Sequence, residues 1–174
     1  AVVTYPLPMV SDNCPGAMVS YNIPSGSSFS VGTTTVVGTA VDNSGNTASC
    51  SFNVTVVQRQ LSIADATITE GNSGSTNLVF TVTLTPSSTQ TVMVDFFTSN
   101  GTATIPSDYQ NMSGTLTFAP GQTTRTISVP INGDTVPEGH ETFFVNLTNP
   151  TNAIISDTQA MGIITDDDAT SIFQ

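Results

Sequence analysis

Three consecutive aspartates, Asp166, Asp167 and Asp168, follow directly on a strand-like run from Gly162 to Thr165. Only 9% of the chain is charged, so three mutually repelling carboxylates in a row need a compensating charge. Five more acids of the same half, Glu70, Asp108, Asp134, Glu138 and Glu141, fall between strand-like runs. A hard cation such as Ca2+ takes about six to eight oxygen ligands from carboxylates, carbonyls and water. These carboxylates are too many for one ion and suit about two or three Ca2+ ions that share bridging groups. Zinc is excluded as a reading, because His140 is the single histidine and no His/Cys cluster exists. The spacing of an EF-hand loop is also absent. Taken one at a time, each acid reads as a solvated turn residue. Taken together, "DDD" and "DTVPEGHE" favour a metal.

The same residues argue against an enzyme. His140 has no serine or cysteine nucleophile motif, and G-x-S-x-G is missing. Glu138 and Glu141 could in principle form the carboxylate pair of a glycosidase. A turn crowded with acids is better explained by Ca2+.

The elements that must carry these acids read as β throughout. Thr, Ser, Val and Asn dominate, with 13 Gly and 10 Pro, and no window keeps a helical period. Thr33 to Val41 and Ala48 to Val57 are β-branched and alternating, and "DNSGN" between them is turn chemistry. A polar joint at Gln58–Arg59–Gln60 follows. Beyond it the pattern predicts strands at 61–63 with 67–69, 77–85, 91–98, 115–118, 123–131, 142–147 and 161–165. Short strands with Gly/Pro/Asn turns are the mark of an antiparallel sandwich, here about seven strands in two sheets over residues 58–168. Counting strands leaves open whether the Asp108 loop reaches the Glu70 end. It is expected to need a strand that bends or crosses over.

Composition narrows the partners. Thirteen acids face two arginines, Arg59 and Arg125, for a net charge of −11, and there is no lysine. A module that binds nucleic-acid phosphates needs clustered Lys and Arg, and so does one drawn to an anionic membrane. Neither fits, and no apolar run is long enough to span a bilayer. Without lysine, Lys–Asn isopeptide cross-links are impossible. The N-terminal residues do not read as a signal peptide, and the chain reads as a piece of a longer mature protein. Cys14 and Cys50 are the two cysteines. With no C-x-x-C motif, they fit a structural disulfide in an oxidising compartment.

Several segments then fall into a familiar order. "EGNSG", "NGTATIPSDY", "SGTLTFAPGQTTRTISVPINGDTVPEGHETFFVNLTNPTNAIISD" and "GIITDDD" resemble a Calx-β domain over about residues 60–168, within a domain expected at 58–168. The resemblance implies an immunoglobulin-like sandwich whose loops converge at one end on Ca2+. Carried over position by position, its ligands would be Glu70, Asp108, Asp134, Glu138, Glu141, Asp166, Asp167 and Asp168. Gly133 and His140 stand where ion-rich members carry acids, which implies fewer ions than those members hold.

Residues 1–57, through "VVTYPLPMVSDNCPG" and "PSGSSFSVGTTTVVGTAVDNSGNTASCSFNVTV", resemble a HYR domain that lacks its N-terminal strand. In that family Cys14 and Cys50 have other partners as well, so they could pair together or stay free. The expectation is all-β: two immunoglobulin-like domains in tandem, with 169–174 starting a linker. The expected role is a Ca2+-binding structural or adhesion module of a large extracellular or cell-surface protein, with Ca2+ stiffening the domain end and the joint. Its partners would be neighbouring modules of the same chain. The alternatives are an adhesin tip that binds a surface glycan or protein, and a regulatory Ca2+ sensor.

Overall fold

The computed structural model describes residues 1–7, 9 and 16–168, and all regular structure among them is β. The chain divides into two compact units, Ala1–Gln58 and Arg59–Gln174. The expected linker at 169–174 lies outside the described residues.

In the first unit, β1 (Met18–Tyr21), β2 (Gly32–Val41) and β3 (Thr47–Val56) form an antiparallel sheet in the order β1-β2-β3. The β2–β3 hairpin pairs in register from Gly32↔Val56 to Val41↔Thr47. Its turn is the predicted "DNSGN". The Asp42 carboxylate accepts hydrogen bonds from Ser44 N, Asn46 N and Asn46 Nδ2, so this acid is consumed locally. Phe29, Val36 and Val54 make a small core, extended by Val3, Tyr5, Tyr21, Ile23 and Val56. Cys50 is exposed on β3 and is free of any disulfide among the described residues. Its expected partner, Cys14, lies outside them.

The second unit is a sandwich. Its strands are β4 (Gln60–Ile63), β5 (Ala66–Thr69), β6 (Gly74–Thr85), β7 (Val92–Asn100), β8 (Ser113–Phe118), β9 (Thr124–Gly133), β10 (Glu141–Thr151), β11 (Ile154–Ile155) and β12 (Gln159–Thr165). One sheet runs β5-β12-β10-β7-β8 and the other β11-β4-β6-β9. Alternating apolar residues of both sheets, among them Phe80, Phe118, Phe143, Val82, Val94 and Val129, are fully buried between them. The first predicted strand is broken at Ala64–Asp65, so its halves join different sheets: β4 pairs antiparallel with β6, and β5 pairs parallel with β12. Asp65 stabilises the crossover by accepting Met161 N at 2.7 Å. That split and the two-residue β11 raise the strand count above the sequence expectation.

Strand direction brings the acidic turns together without any bend. The β4–β5 strand ends at Thr69, β6 leads away, and β7 returns. The turns after β5, β7 and β9 therefore lie at one end, with the end of β12 beside them. The expected crossover for the Asp108 connection is corrected by this count: turns that follow odd-numbered strands of an antiparallel array share an end.

Candidate metal centre

The β5–β12 pairing sets the first acids. The parallel register runs from Ala66↔Gly162 to Thr69↔Thr165, and Glu70 N continues it by donating to Thr165 O at 3.2 Å. Glu70 and Asp166 therefore emerge side by side. Asp166 then organises its neighbours: one oxygen accepts Asp168 N and the other Glu138 N, both at 2.7 Å. This draws the β9–β10 loop onto the end of β12.

Asp108 is positioned from below by Tyr109. The Tyr109 ring is fully buried and stacks on Phe143 at 4.3 Å, and its hydroxyl donates to Asn100 Oδ1 at 2.8 Å. On either side, Asn132 N donates to Asp108 O at 2.9 Å and Asn132 Nδ2 to the carbonyls of Pro106 and Ser107. Thr104 N donates to Asp108 Oδ2 at 2.7 Å. Glu141 opens β10 opposite Ile164 of β12.

Two carboxylate groups result. In one, Glu70, Asp166 and Asp168 each bring an oxygen within 4.8 Å of the others; in the second, Asp108, Glu138 and Glu141 do the same. Burial, followed by the charges of Asp134, Asp166, Glu138 and Asp168, pushes Glu70 up to about 7. Burial, followed by Asp108, brings Glu141 to about 7 as well. Glu138 and Asp168 are also raised, by desolvation first and acidic neighbours second.

Glu70 is only 5% exposed and feels the charges of four neighbouring carboxylates. Asp168 Oδ2 is buried with no hydrogen-bond partner. Unsatisfied buried anions are costly, and a cation held by oxygen ligands satisfies them. The donor set is all oxygen, which suits Ca2+ and not zinc.

Asp134 and Asp167 belong to neither group. Asp134 accepts Val136 N at 2.7 Å in its own turn, yet its charge acts on Glu70, Glu138 and Asp168. Asp167 accepts Gly71 N at 3.1 Å and Asn72 Nδ2 at 3.3 Å, and its charge acts on Asp168. His140 is exposed. Gly133 has no space for a side chain, since a Cβ there would sit 2.1 Å from Gly71 O. The sequence reading passed over Asn72, Asn132 and Tyr109. Their signal was faint, because Asn in a turn and Tyr in a loop are ordinary there.

The Calx-beta domain model matches residues 54–168, and the HYR domain model matches residues 1–56. No curated protein matches the sequence. Among solved structures, the chain is similar to "Crystal structure of Apo-form Calx CBD1 domain", at 25% identity and a TM-score of 0.54, over 64% of this chain and 99% of that one. It is similar also to "Crystal structure of calcium binding domain CBD12 of CALX1.1", at 26% identity and a TM-score of 0.55. That match covers 62% of this chain and 46% of the other, so the chain spans less than half of it. With a family model covering most of its length and a sandwich with paired acidic turns to match, the chain belongs to the Calx-beta domain family.

Proposed function

We propose that residues 58–168 form a Ca2+-binding module of a large extracellular or cell-surface protein, and that Ca2+ stiffens the end of the sandwich. The observation that carries this reading is the pair of carboxylate groups at one end, with Glu70 buried and Asp168 Oδ2 unpartnered. The solved relative described as a calcium binding domain supports it. Glu70, Asp166 and Asp168 would hold one ion, and Asp108, Glu138 and Glu141 another. Asp134 is near enough in charge to bridge or balance them, which is consistent with two or three ions. The bound cation supplies positive charge where the protein has gathered negative charge. The chain's own role is to hold the oxygens in place, through the Thr69–Thr165 strand ends, the Tyr109 anchor and Asn132.

The HYR match at residues 1–56 supports placement outside the cell and a partner role for neighbouring modules of the same chain. No helix among the described residues is long and apolar enough to cross a membrane. Isothermal calorimetry tests the metal reading: Ca2+ should bind with a stoichiometry of about two or three per chain, and heat indistinguishable from dilution would refute it.

One observation favours the adhesin-tip reading. Tyr5, Pro6, Leu7, Tyr21 and Phe52 line a groove of about 270 Å³ in the first unit. The three rings pack edge to face at 5.0 to 5.9 Å. Both phenols, however, are already engaged within the protein, Tyr5 with Ile23 O and Tyr21 with Pro6 O. A ligand groove needs converging polar groups to fix orientation, so the structural module remains the better account.

A further inference from the structure

β9 lies at one edge of its sheet, in the order β11-β4-β6-β9. Thr123 O, just before β9, accepts Leu84 N of β6 at 2.8 Å. In an antiparallel ladder this sets the parity: odd-numbered residues of β9 turn their backbone groups to β6, and even-numbered ones turn theirs outward. The chain itself uses part of that outward edge. Gln110 N donates to Pro130 O and Asn132 N to Asp108 O, both at 2.9 Å, and Tyr109 bridges Ile131. A short strand is thus already added to β9 at 130–132. Thr124, Thr126 and Ser128 point their backbone groups the same way, and no backbone group of the described residues takes them up. Arg125 sits within this vacant length. Its side chain lies on the same side of β9 as the buried Ile127, Val129 and Ile131. It crosses to β8, where its Nε donates to Thr117 O at 2.7 Å. Thr115, Leu116, Thr117, Arg125 and Thr126 line a groove of about 320 Å³ there. Arg125 stays exposed and forms no ion pair among the described residues. Asp95, beside Thr115 in the ladder, is committed to Thr115 Oγ1 at 2.6 Å and Asn149 Nδ2 at 3.1 Å. From Arg125 to Gly133 at the acidic end, β9 rises about 27 Å, well beyond a screening length of about 8–10 Å.

We propose that the vacant edge of β9, Thr124–Ser128, docks an extended segment of a partner protein that carries an Asp or Glu opposite Arg125. The edge supplies main-chain hydrogen bonds to an added strand, and the groove supplies the choice of side chain. In such a pair the residue opposite Arg125 projects to the same side as Arg125, where a carboxylate meets the guanidinium. The residues two positions to either side project there too, and the one opposite Ile127 meets the margin of the core, so apolar side chains suit them. The intervening residues lie beside Thr124, Thr126 and Ser128 on the polar outer face. A second copy fits less well. Two β9 edges paired antiparallel over 124–128 would bring one Arg125 close to the other, like charge against like. The proposal does not depend on the Ca2+ reading, because the edge and the groove lie at the other end of β9.

The test titrates two peptides, acetyl-TVTDTVT-amide and acetyl-TVTNTVT-amide, into the isotope-labelled chain and follows amide NMR shifts, with sedimentation run alongside. The acidic peptide should shift Thr124, Thr126 and Ser128 and bind about fivefold more tightly than the neutral one, the margin of one exposed ion pair. Arg125→Gln should erase that margin and leave the neutral peptide as before. Thr126→Pro should abolish binding of both peptides, because it removes an outward N–H. It should leave the β6 ladder intact, since that N–H takes no part in it and Pro130 already holds an equivalent edge position. Ser128→Pro repeats the test on the same parity should Thr126→Pro fail to fold. No shifts at millimolar peptide, shifts confined to another surface, or equal affinity for the two peptides overturns the proposal. So does an unmodified chain that dimerises through β9, which makes a second copy the occupant. If Arg125→Gln self-associates while the unmodified chain ignores both peptides, Arg125 is a guard against edge pairing and the docking edge is refuted.

Discussion

Asp168 has one oxygen that is buried and unpartnered, and its carboxyl is held above the usual range by burial and by Asp166, Asp167 and Asp134. Asp168→Asn should therefore raise the melting temperature in EDTA while weakening Ca2+ binding about tenfold or more. Calorimetry and thermal melts on the same samples check both signs. Glu70 and Glu141 give a pH dependence. Their ordinary value is 4.5 and each is raised to about 7 in the folded protein. The metal-free fold then binds more protons than the unfolded chain between these values. Its stability is full below about 4.5 and falls as pH rises through about 7. Melts in EDTA should show a higher midpoint at pH 5 than at pH 8, and Ca2+ should reverse that order by competing with protons. A flat EDTA profile would contradict the raised values. The sequence made the acids legible as a set, because Asp134, Glu138 and Glu141 crowd one loop and Asp166, Asp167 and Asp168 follow one strand. It did not reveal that Asp167 accepts Gly71 N and Asn72 Nδ2, since that depends on where the ladder with β5 stops.

At the scale of elements, the acidic end is tied to the core through a stack of rings. Gly162 of β12 pairs with Phe143 of β10, and a Cβ on Gly162 would meet the Phe143 ring at 2.5 Å. Phe143 in turn carries Tyr109, and Tyr109 carries the Asp108 loop. Gly162→Ala should destabilise the sandwich by about 1–3 kcal/mol through overpacking. It should also disturb Asp108 and Glu141 more than Glu70, which NMR shifts of the two groups during a Ca2+ titration would resolve. The strands were readable from alternation and from Gly/Pro/Asn turns. The gap between 61–63 and 67–69 was readable too, but not that its two sides join different sheets, which only the tertiary pairing with β6 and β12 decides. The free edge of β9 was equally hidden: Gln110 N to Pro130 O and the Tyr109–Ile131 bridge cover it with a loop distant in sequence.

For the whole molecule, the acids are unevenly shared. Eleven of them fall after Arg59, and Asp12 and Asp42 are the two before it. Ca2+ should therefore act on one unit only. At a hundredfold its dissociation constant it adds about 2.7 kcal/mol to the native state, roughly 10 °C for a domain near this size. Scanning calorimetry should show one transition moving with Ca2+ and one, from Ala1–Gln58, staying in place; joint movement of both would refute the division. The parallel β5–β12 pair has a mechanical consequence. Its strands run the same way, Ala66–Thr69 against Gly162–Thr165, so traction between Arg59 and Asp168 slides them past each other and loads their hydrogen bonds all at once. A hairpin pulled at its open end would instead lose its hydrogen bonds in succession, like a zip. Ca2+ held by Glu70, Asp166 and Asp168 would bolt together the very ends of those two strands. In single-molecule pulling, the sandwich should yield at higher force in Ca2+ than in EDTA, making the acidic end a tension-bearing rivet.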